Sequence, residues 1–151
     1  MTQLARTFVA ILFFVLLAGW WQAHGATFEQ AQALADKAAA LIKAEGGKAF
    51  PRLVDPNGGF IDGELYITVI DTPGIVKSHP NKGLIGVNMI DAKDPDGVMF
   101  TQELLKAVAN SETGMTTYKY VNPATKKIEP KKAWVHKVGN YVVLCGAYVK
   151  D

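Results

Sequence analysis

Leu65-Tyr66-Ile67-Thr68-Val69-Ile70-Asp71-Thr72-Pro73-Gly74-Ile75-Val76-Lys77-Ser78-His79-Pro80 is the stretch whose reading decides the fold. Leu65, Ile67 and Val69 alternate with Tyr66, Thr68 and Ile70, the period-two pattern of a strand covered on both faces. Pro73-Gly74 offers a fixed φ followed by a residue free to take positive φ, the pair that the centre of a type II turn requires. The stretch therefore predicts two short strands around a tight turn, with His79 at the end of the second.

Upstream, Thr27 to Gln30 has the spacing of a capping box. Ala31, Leu34, Ala35, Ala38, Leu41 and Ile42 then follow the stripe of an amphipathic helix, which Gly46-Gly47 ends. The small side chains let this helix approach a surface closely, either a sheet or a second copy of itself. Residues 49–62 are rich in turn signals and predict a loop. Downstream, residues 81–96 carry Leu84, Ile85, Val87, Met89 and Ile90 in no regular period, which predicts a loop packed on the sheet where it could close a pocket. A second helix is predicted over 100–110, and strands over 115–121, 132–138 and 141–149. Gly139-Asn140 forms a two-residue hairpin loop between the last two. Two helices and about five strands in neighbouring hairpins make an α+β domain: an antiparallel sheet with the long N-terminal helix on one face.

The first 25 residues are of another kind. Arg6 precedes the apolar run Phe8 to Trp21, and Ala23-His24-Gly25 supplies small residues where a signal peptidase reads. The run is shorter than the roughly 20 residues of a spanning helix. Residues 1–25 are thus expected to be a signal peptide, cleaved near Gly25, that exports the chain. Residues 26–48 then form the helix and 49–151 the sheet domain.

The charge is nearly balanced, 16 Lys and Arg against 14 Asp and Glu, with no clustered basic face for nucleic acid. The lysines at 126, 127, 131 and 132 are interrupted by Glu129 and Pro130 and read as a hairpin. Cys145, the single cysteine, lies in an apolar strand and reads as a small buried side chain. His79 and His136 are far apart, and His136 alternates with Trp134 and Val138 at a half-exposed position. No metal-ligand spacing, cofactor loop or nucleophile motif is present, so neither a metal, a cofactor nor a catalytic residue is expected. Asp94-Pro95-Asp96-Gly97 lacks the spacing of a calcium loop and reads as a turn before the second helix. The remaining polar inventory suits binding. Tyr66, His79, Tyr118, Tyr120 and Lys131 are donors spread over the strands, the groups a small carboxylate needs in an apolar cleft.

Residues 49–151 resemble the single Cache domains of bacterial extracytoplasmic sensors, of the type called sCache_2. The resemblance rests on Asp62-Gly63-Glu64-Leu65-Tyr66-Ile67-Thr68-Val69, Gly74 with Lys77-Ser78-His79-Pro80, Leu84-Ile85-Gly86-Val87-Asn88, Asp94-Pro95-Asp96-Gly97, Tyr118-Lys119-Tyr120-Val121-Asn122-Pro123, Lys131 with Trp134-Val135, and Gly146-Ala147-Tyr148-Val149. It implies a PAS-like sheet with the long helix on one side and a pocket for a small organic acid, such as acetate, lactate or pyruvate, on the other. It maps Tyr66, His79, Tyr118, Tyr120 and Lys131 around that pocket as ligand-binding residues. Two departures accompany it. Trp134 stands where the family often has tyrosine, so a pocket contact there would be apolar. Lys132 competes with Lys131, and strand alternation allows only one of them to face the pocket. Because the chain stops at Asp151, the expectation is a free-standing domain in the periplasm of a Gram-negative bacterium that signals through a membrane-bound sensor kinase or chemoreceptor in trans. The alternative is a ligand-free interaction module that forms a homodimer, or docks on a sensor, through its N-terminal helix.

Overall fold

The computed structural model describes residues 25–149. The signal peptide read over residues 1–25 lies outside them except for Gly25, as does His24. Helix α1, Phe28–Glu45, starts at Thr27, whose hydroxyl accepts from the Gln30 amide while the Gln30 side chain accepts from the Thr27 amide. That is the capping box expected from the sequence, and Gly46, with a φ of 60°, ends the helix. Phe50–Leu53 makes one further helical turn, α2. Strands β1, Ile61–Asp62, and β2, Leu65–Tyr66, pair as a small antiparallel ribbon. The 49–62 segment is thus more ordered than the loop its turn residues predict. Its cause is tertiary: Leu53 and Phe60 are drawn into the core under α1.

Five strands form the main antiparallel sheet: β3 (Thr68–Asp71), β4 (Val76–Ser78), β5 (Thr113–Val121), β6 (Ile128–Val138) and β7 (Tyr141–Tyr148), in the order β4-β3-β7-β6-β5. Helix α3, Phe100–Ala107, lies between β4 and β5 in the chain. The β6–β7 register follows from the two-residue turn: Val138 opposes Tyr141, and counting outward Lys131 opposes Tyr148. Gly139 takes the positive φ, 58°, at the first central position, as a type II′ hairpin needs.

The β3–β4 turn differs from expectation by one residue. Asp71 carbonyl accepts from the Gly74 amide at 2.9 Å, its carboxylate accepts from the Ile75 amide at 2.8 Å, and its own amide donates to the Ile75 carbonyl at 2.9 Å. The central residues are therefore Thr72 and Pro73, and Gly74 follows them with a φ of 92°. Asp71, anchoring three bonds, sets the turn; the Pro-Gly pair fills it.

The period-two pattern of 65–70 does what it predicts. Leu65, Ile67 and Val69 join Val143, Cys145 and Ala147 in a core under α1, completed by Ala31, Ala35, Ala38 and Ile42. Ile70 joins Val142, Leu144, Ala133, Val135 and Tyr118 in a second core on the opposite face, closed by Phe100 and Leu104 of α3. The alanine face of α1 is buried against the sheet, so a homodimer through α1 would have to use its outer face. Segment 81–96 covers the β4 edge, with Val76 donating to Val87 carbonyl at 3.0 Å and Gly86 to Val76 carbonyl at 2.8 Å. Covering that edge removes a template for pairing with another chain.

Close helix–sheet contact makes alanine size a requirement at Ala35 but not at exposed Ala40. Ala35→Leu should lower stability by about 1–3 kcal/mol through overpacking, and Ala40→Leu should change it by less than about 0.5 kcal/mol. Urea denaturation of both variants checks this; equal midpoints would mean the helix does not rest on the sheet as described.

Candidate functional site

The face of the sheet away from α1 carries a small cavity of about 30 Å³, and Tyr66, His79, Tyr118, Tyr120 and Lys131 all line it. The fold brings these five residues together from β2, the end of β4, β5 and β6. Lys131 is the centre. It is 2% exposed, and its Nζ lies 4.0 Å from the Tyr66 ring centroid, 5.2 Å from Tyr148 and 5.7 Å from Tyr120. Tyr118 on β5 and Tyr148 on β7 flank it directly in register. Lys132 points the other way, with Nζ 4.2 Å from the Phe28 ring of α1. Of the two candidate cations, Lys131 is the one in the cavity.

Two features let a lysine lie flat on a sheet. Gly146, next to it on β7, has no side chain; a Cβ there would sit 2.7 Å from Lys131 Cε and 2.9 Å from its Cγ. The three tyrosine rings then supply electron-rich faces in place of water, each cation–π contact contributing roughly 0.5–2 kcal/mol. Among the described residues no carboxylate forms an ion pair with Lys131.

His79 packs edge-on against Tyr66, with ring centroids 5.2 Å apart. The Asn81 amide donates to its Nδ1 at 2.9 Å. That bond occupies the Nδ1 lone pair and leaves the imidazole proton on Nε2. Burial first, and the Lys131 charge second, push the His79 pKa from 6.5 down to about 4. His79 is therefore a neutral donor at physiological pH. Burial, followed by the neighbouring tyrosine hydroxyls, holds Tyr118 well above the ordinary phenol range. Tyr120 is pushed up to about 12, again by burial and then by Tyr66. These phenols stay protonated. Phe100 stacks on Tyr118 at 5.2 Å and meets Tyr120 edge-on at 5.7 Å, which fixes both rings.

Other residues complete the surroundings of Lys131. Tyr148 donates from its hydroxyl to the Val121 carbonyl at 2.7 Å, tying β7 to the end of β5. Counting register back from the Gly139-Asn140 turn would have found it opposite Lys131. Ile70, Val76 and Leu144 line the cavity from the sheet, Thr101 and Leu104 from α3, and Leu84 and Met89 from segment 81–96. A larger outer hollow of about 410 Å³ shares Tyr66, His79, Leu84 and Tyr120 with the cavity and adds Pro80, Asn81, Val121, Pro123 and Lys126. It borders the inner cavity through those four shared residues.

Four other sequence candidates lie elsewhere. Trp134 does not contact the cavity; it sits on the α1 face, edge-on to Phe28 at 6.3 Å, with its indole nitrogen donating to Asp36 Oδ1 at 3.0 Å. The expected apolar pocket contact is thereby corrected, because Trp134 shares parity with Lys132 and not with Lys131. His136, half-buried beside it, bonds the same Asp36 oxygen at 2.5 Å. Cys145 is buried, and burial holds its thiol up to about 11 against the opposing pull of Lys131. Asp94 works structurally: its carboxylate accepts from the amides of Asp96, Val98 and Lys119, each at 2.9 Å, pinning the turn before α3 to β5. Among the described residues no group of three His, Cys, Asp or Glu could hold a metal ion. No helix of the described residues is long and apolar enough to cross a membrane.

The depressed His79 value has a sign that can be measured. Between about pH 6.5 and pH 4 the unfolded chain binds a proton that the folded chain refuses, so stability falls as pH drops through that window. The loss amounts to as much as about 3 kcal/mol. His79→Asn should flatten the urea midpoint against pH over this range relative to the parent. Identical slopes would show that His79 is not buried neutral.

Comparison with known proteins follows the same geometry. The family model described as Single Cache domain 2 matches residues 21–151. The crystal structure of a methyl-accepting chemotaxis protein from Vibrio parahaemolyticus RIMD 2210633 is similar with a TM-score of 0.71 at 21% identity, over 82% of this chain and 88% of that one. The periplasmic sensor domain of a chemotaxis protein gives a TM-score of 0.63 at 25% identity, over 82% and 90%. A Cache chemosensory domain, solved for the structural basis of its carboxylic acid recognition, gives a TM-score of 0.67 at 21% identity, over 81% and 92%. At 21% identity the first and third are likenesses of fold. No curated protein matches the chain.

Proposed function

The chain belongs to the single Cache domain 2 family, and from that premise we propose that it is an exported sensor domain whose cavity binds a small carboxylate. One observation carries the reading. Lys131 is buried with its Nζ over the rings of Tyr66, Tyr120 and Tyr148, and among the described residues no carboxylate forms an ion pair with it. Taking an ammonium out of water costs several kcal/mol, more than cation–π contacts return. An anion in the cavity makes up the difference.

The class of anion follows from the other groups. A carboxylate has two in-plane oxygens. One can accept from Lys131, and the second from His79 Nε2–H or a tyrosine hydroxyl, with each charge-assisted bond short and strong. Ile70, Val76, Leu104 and Leu144 then offer an apolar lining for a methyl group. A site for one water needs about 10–15 Å³ on the measure by which this cavity is about 30 Å³. That favours the smallest acids: acetate first, then pyruvate and lactate with some retreat of Leu84 and Met89. The neighbouring Cache fold whose carboxylic acid recognition has been described supports the same class. No reaction is assigned. The residues hold a ligand, and information passes on to a membrane-bound receptor or kinase.

A ligand-free docking module is the second reading. It draws on β5, a sheet edge that carries exposed Met115 and Val121.

Thermal denaturation against a panel of small acids separates the two. A bound acid at 100 times its Kd should add about 2.7 kcal/mol of stability, and Lys131→Met should weaken binding at least about 100-fold while keeping the fold, since the side chain stays long and apolar. An unchanged affinity in Lys131→Met would overturn the assignment of the cation. No shift with any acid would favour the docking module.

A further inference from the structure

Ala26, the first residue beyond the expected leader, sits against a buried carboxylate. Glu64, in the turn between β1 and β2, is 6% exposed. Its Oε1 accepts from the Ala26 backbone nitrogen at 3.0 Å, and its Oε2 from Asn122 Nδ2 at 2.9 Å. Asn122, fully buried, gives a second bond to Glu129 Oε2 at 2.7 Å. Among the described residues no lysine, arginine or histidine forms an ion pair with Glu64. A buried carboxylate served by neutral donors alone keeps much of its desolvation penalty.

The nitrogen that touches Glu64 is the one that cleavage after Ala23-His24-Gly25 would set free. Its position does not depend on the leader, because Thr27 next to it is fixed by the capping box of α1. We propose that removal of the leader turns the Ala26 amide into an α-ammonium that docks on Glu64 as its counter-ion. Hydrolysis of the Gly25–Ala26 bond by a signal peptidase adds the hydroxyl of water to the Gly25 carbonyl and a proton to the Ala26 nitrogen. Transfer of the new acid's proton through solvent leaves a carboxylate on the departing leader and an ammonium on Ala26. The hydrogen bond already present survives processing and acquires a charge.

The placement gives the ion pair reach. Glu64, Asn122 and Glu129 stand two residues along the chain from Tyr66, Tyr120 and Lys131 respectively. Maturation thereby ties the start of α1 to the rim of the cavity on the far side of the sheet. This inference rests on the export part of the proposed function and is independent of the ligand.

The test uses the full chain, expressed with its leader in a Gram-negative host and recovered from the periplasm. Its intact mass should be that of a chain starting at Ala26. Selective acetylation of the α-amine should lower the Tm by about 4 °C or more at pH 6.5. That loss should fall below about 1 °C in Glu64→Gln. The ammonium's folded pKa is raised above the free value of about 8, so the advantage of the free amine should be present below pH 8 and vanish as pH rises through the folded value. A start elsewhere than Ala26, or equal Tm for free and acetylated parent protein, overturns the proposal; the second comparison stands even if Glu64→Gln does not fold. Acetate titration of the free-amine protein reads the ligand separately. A retained acetate shift with no acetylation effect sinks only the docking, and the converse sinks only the carboxylate.

Discussion

Burying the Lys131 ammonium is the constraint on which the rest of the site depends. A lysine at that depth needs electron-rich surfaces around it, a sheet without a side chain beneath it, and a shielded space at its tip. Tyr66, Tyr120 and Tyr148 supply the first, and Gly146 supplies the second. Phe100 and Leu104, brought over by α3, shield the space. The same charge reaches outward: it helps keep His79 neutral and opposes the burial that holds the Cys145 proton in place. Burial thus sets the protonation of the groups around the cation, whose charge adds to it at His79 and opposes it at Cys145.

Much of this was legible in the chain because parity along a strand is a local property. The alternation at 65–70 assigns each residue to its core, and the parity of β6 separates Lys131 from Lys132. That same parity places Trp134 with Lys132, so the alternation rule already turns Trp134 away from the pocket. What was not legible depends on distant partners. The turn at Asp71 moved by one residue because a carboxylate competed successfully for the Ile75 amide. Leu53 and Phe60 stiffened a stretch whose composition reads as loop, since a helix elsewhere needed its underside filled. The cavity's small size belongs to α3 and the 81–96 segment, neither of which carries a pattern that announces how far it leans over the sheet.

Asp94 shows how little of the acidic inventory is free for chemistry. An aspartate followed by proline, aspartate and glycine invites a metal reading, yet three backbone amides saturate its carboxylate, and those bonds lower its pKa. Holding the turn against β5 positions Phe100 at the start of α3, and Phe100 in turn orders Tyr118 and Tyr120. The carboxylate contributes to the site through three intermediaries and never touches it.

The strand order carries a consequence for how the molecule comes into being. Strand β7 is the last strand of the sheet in the chain and lies at its middle, between β3 and β6, with residues of both cores on its two faces. A chain that has emerged only as far as β6 holds a β3–β4 hairpin and a β5–β6 hairpin with no edge in common, and α1 has half a surface to rest on. Such a partial chain cannot nucleate either core, because the contacts that reward loop closure are long-range ones supplied by the final segment. Folding is thereby deferred until β7 has joined the sheet. A polypeptide built this way stays open until its central strand arrives, and becomes compact in one late step.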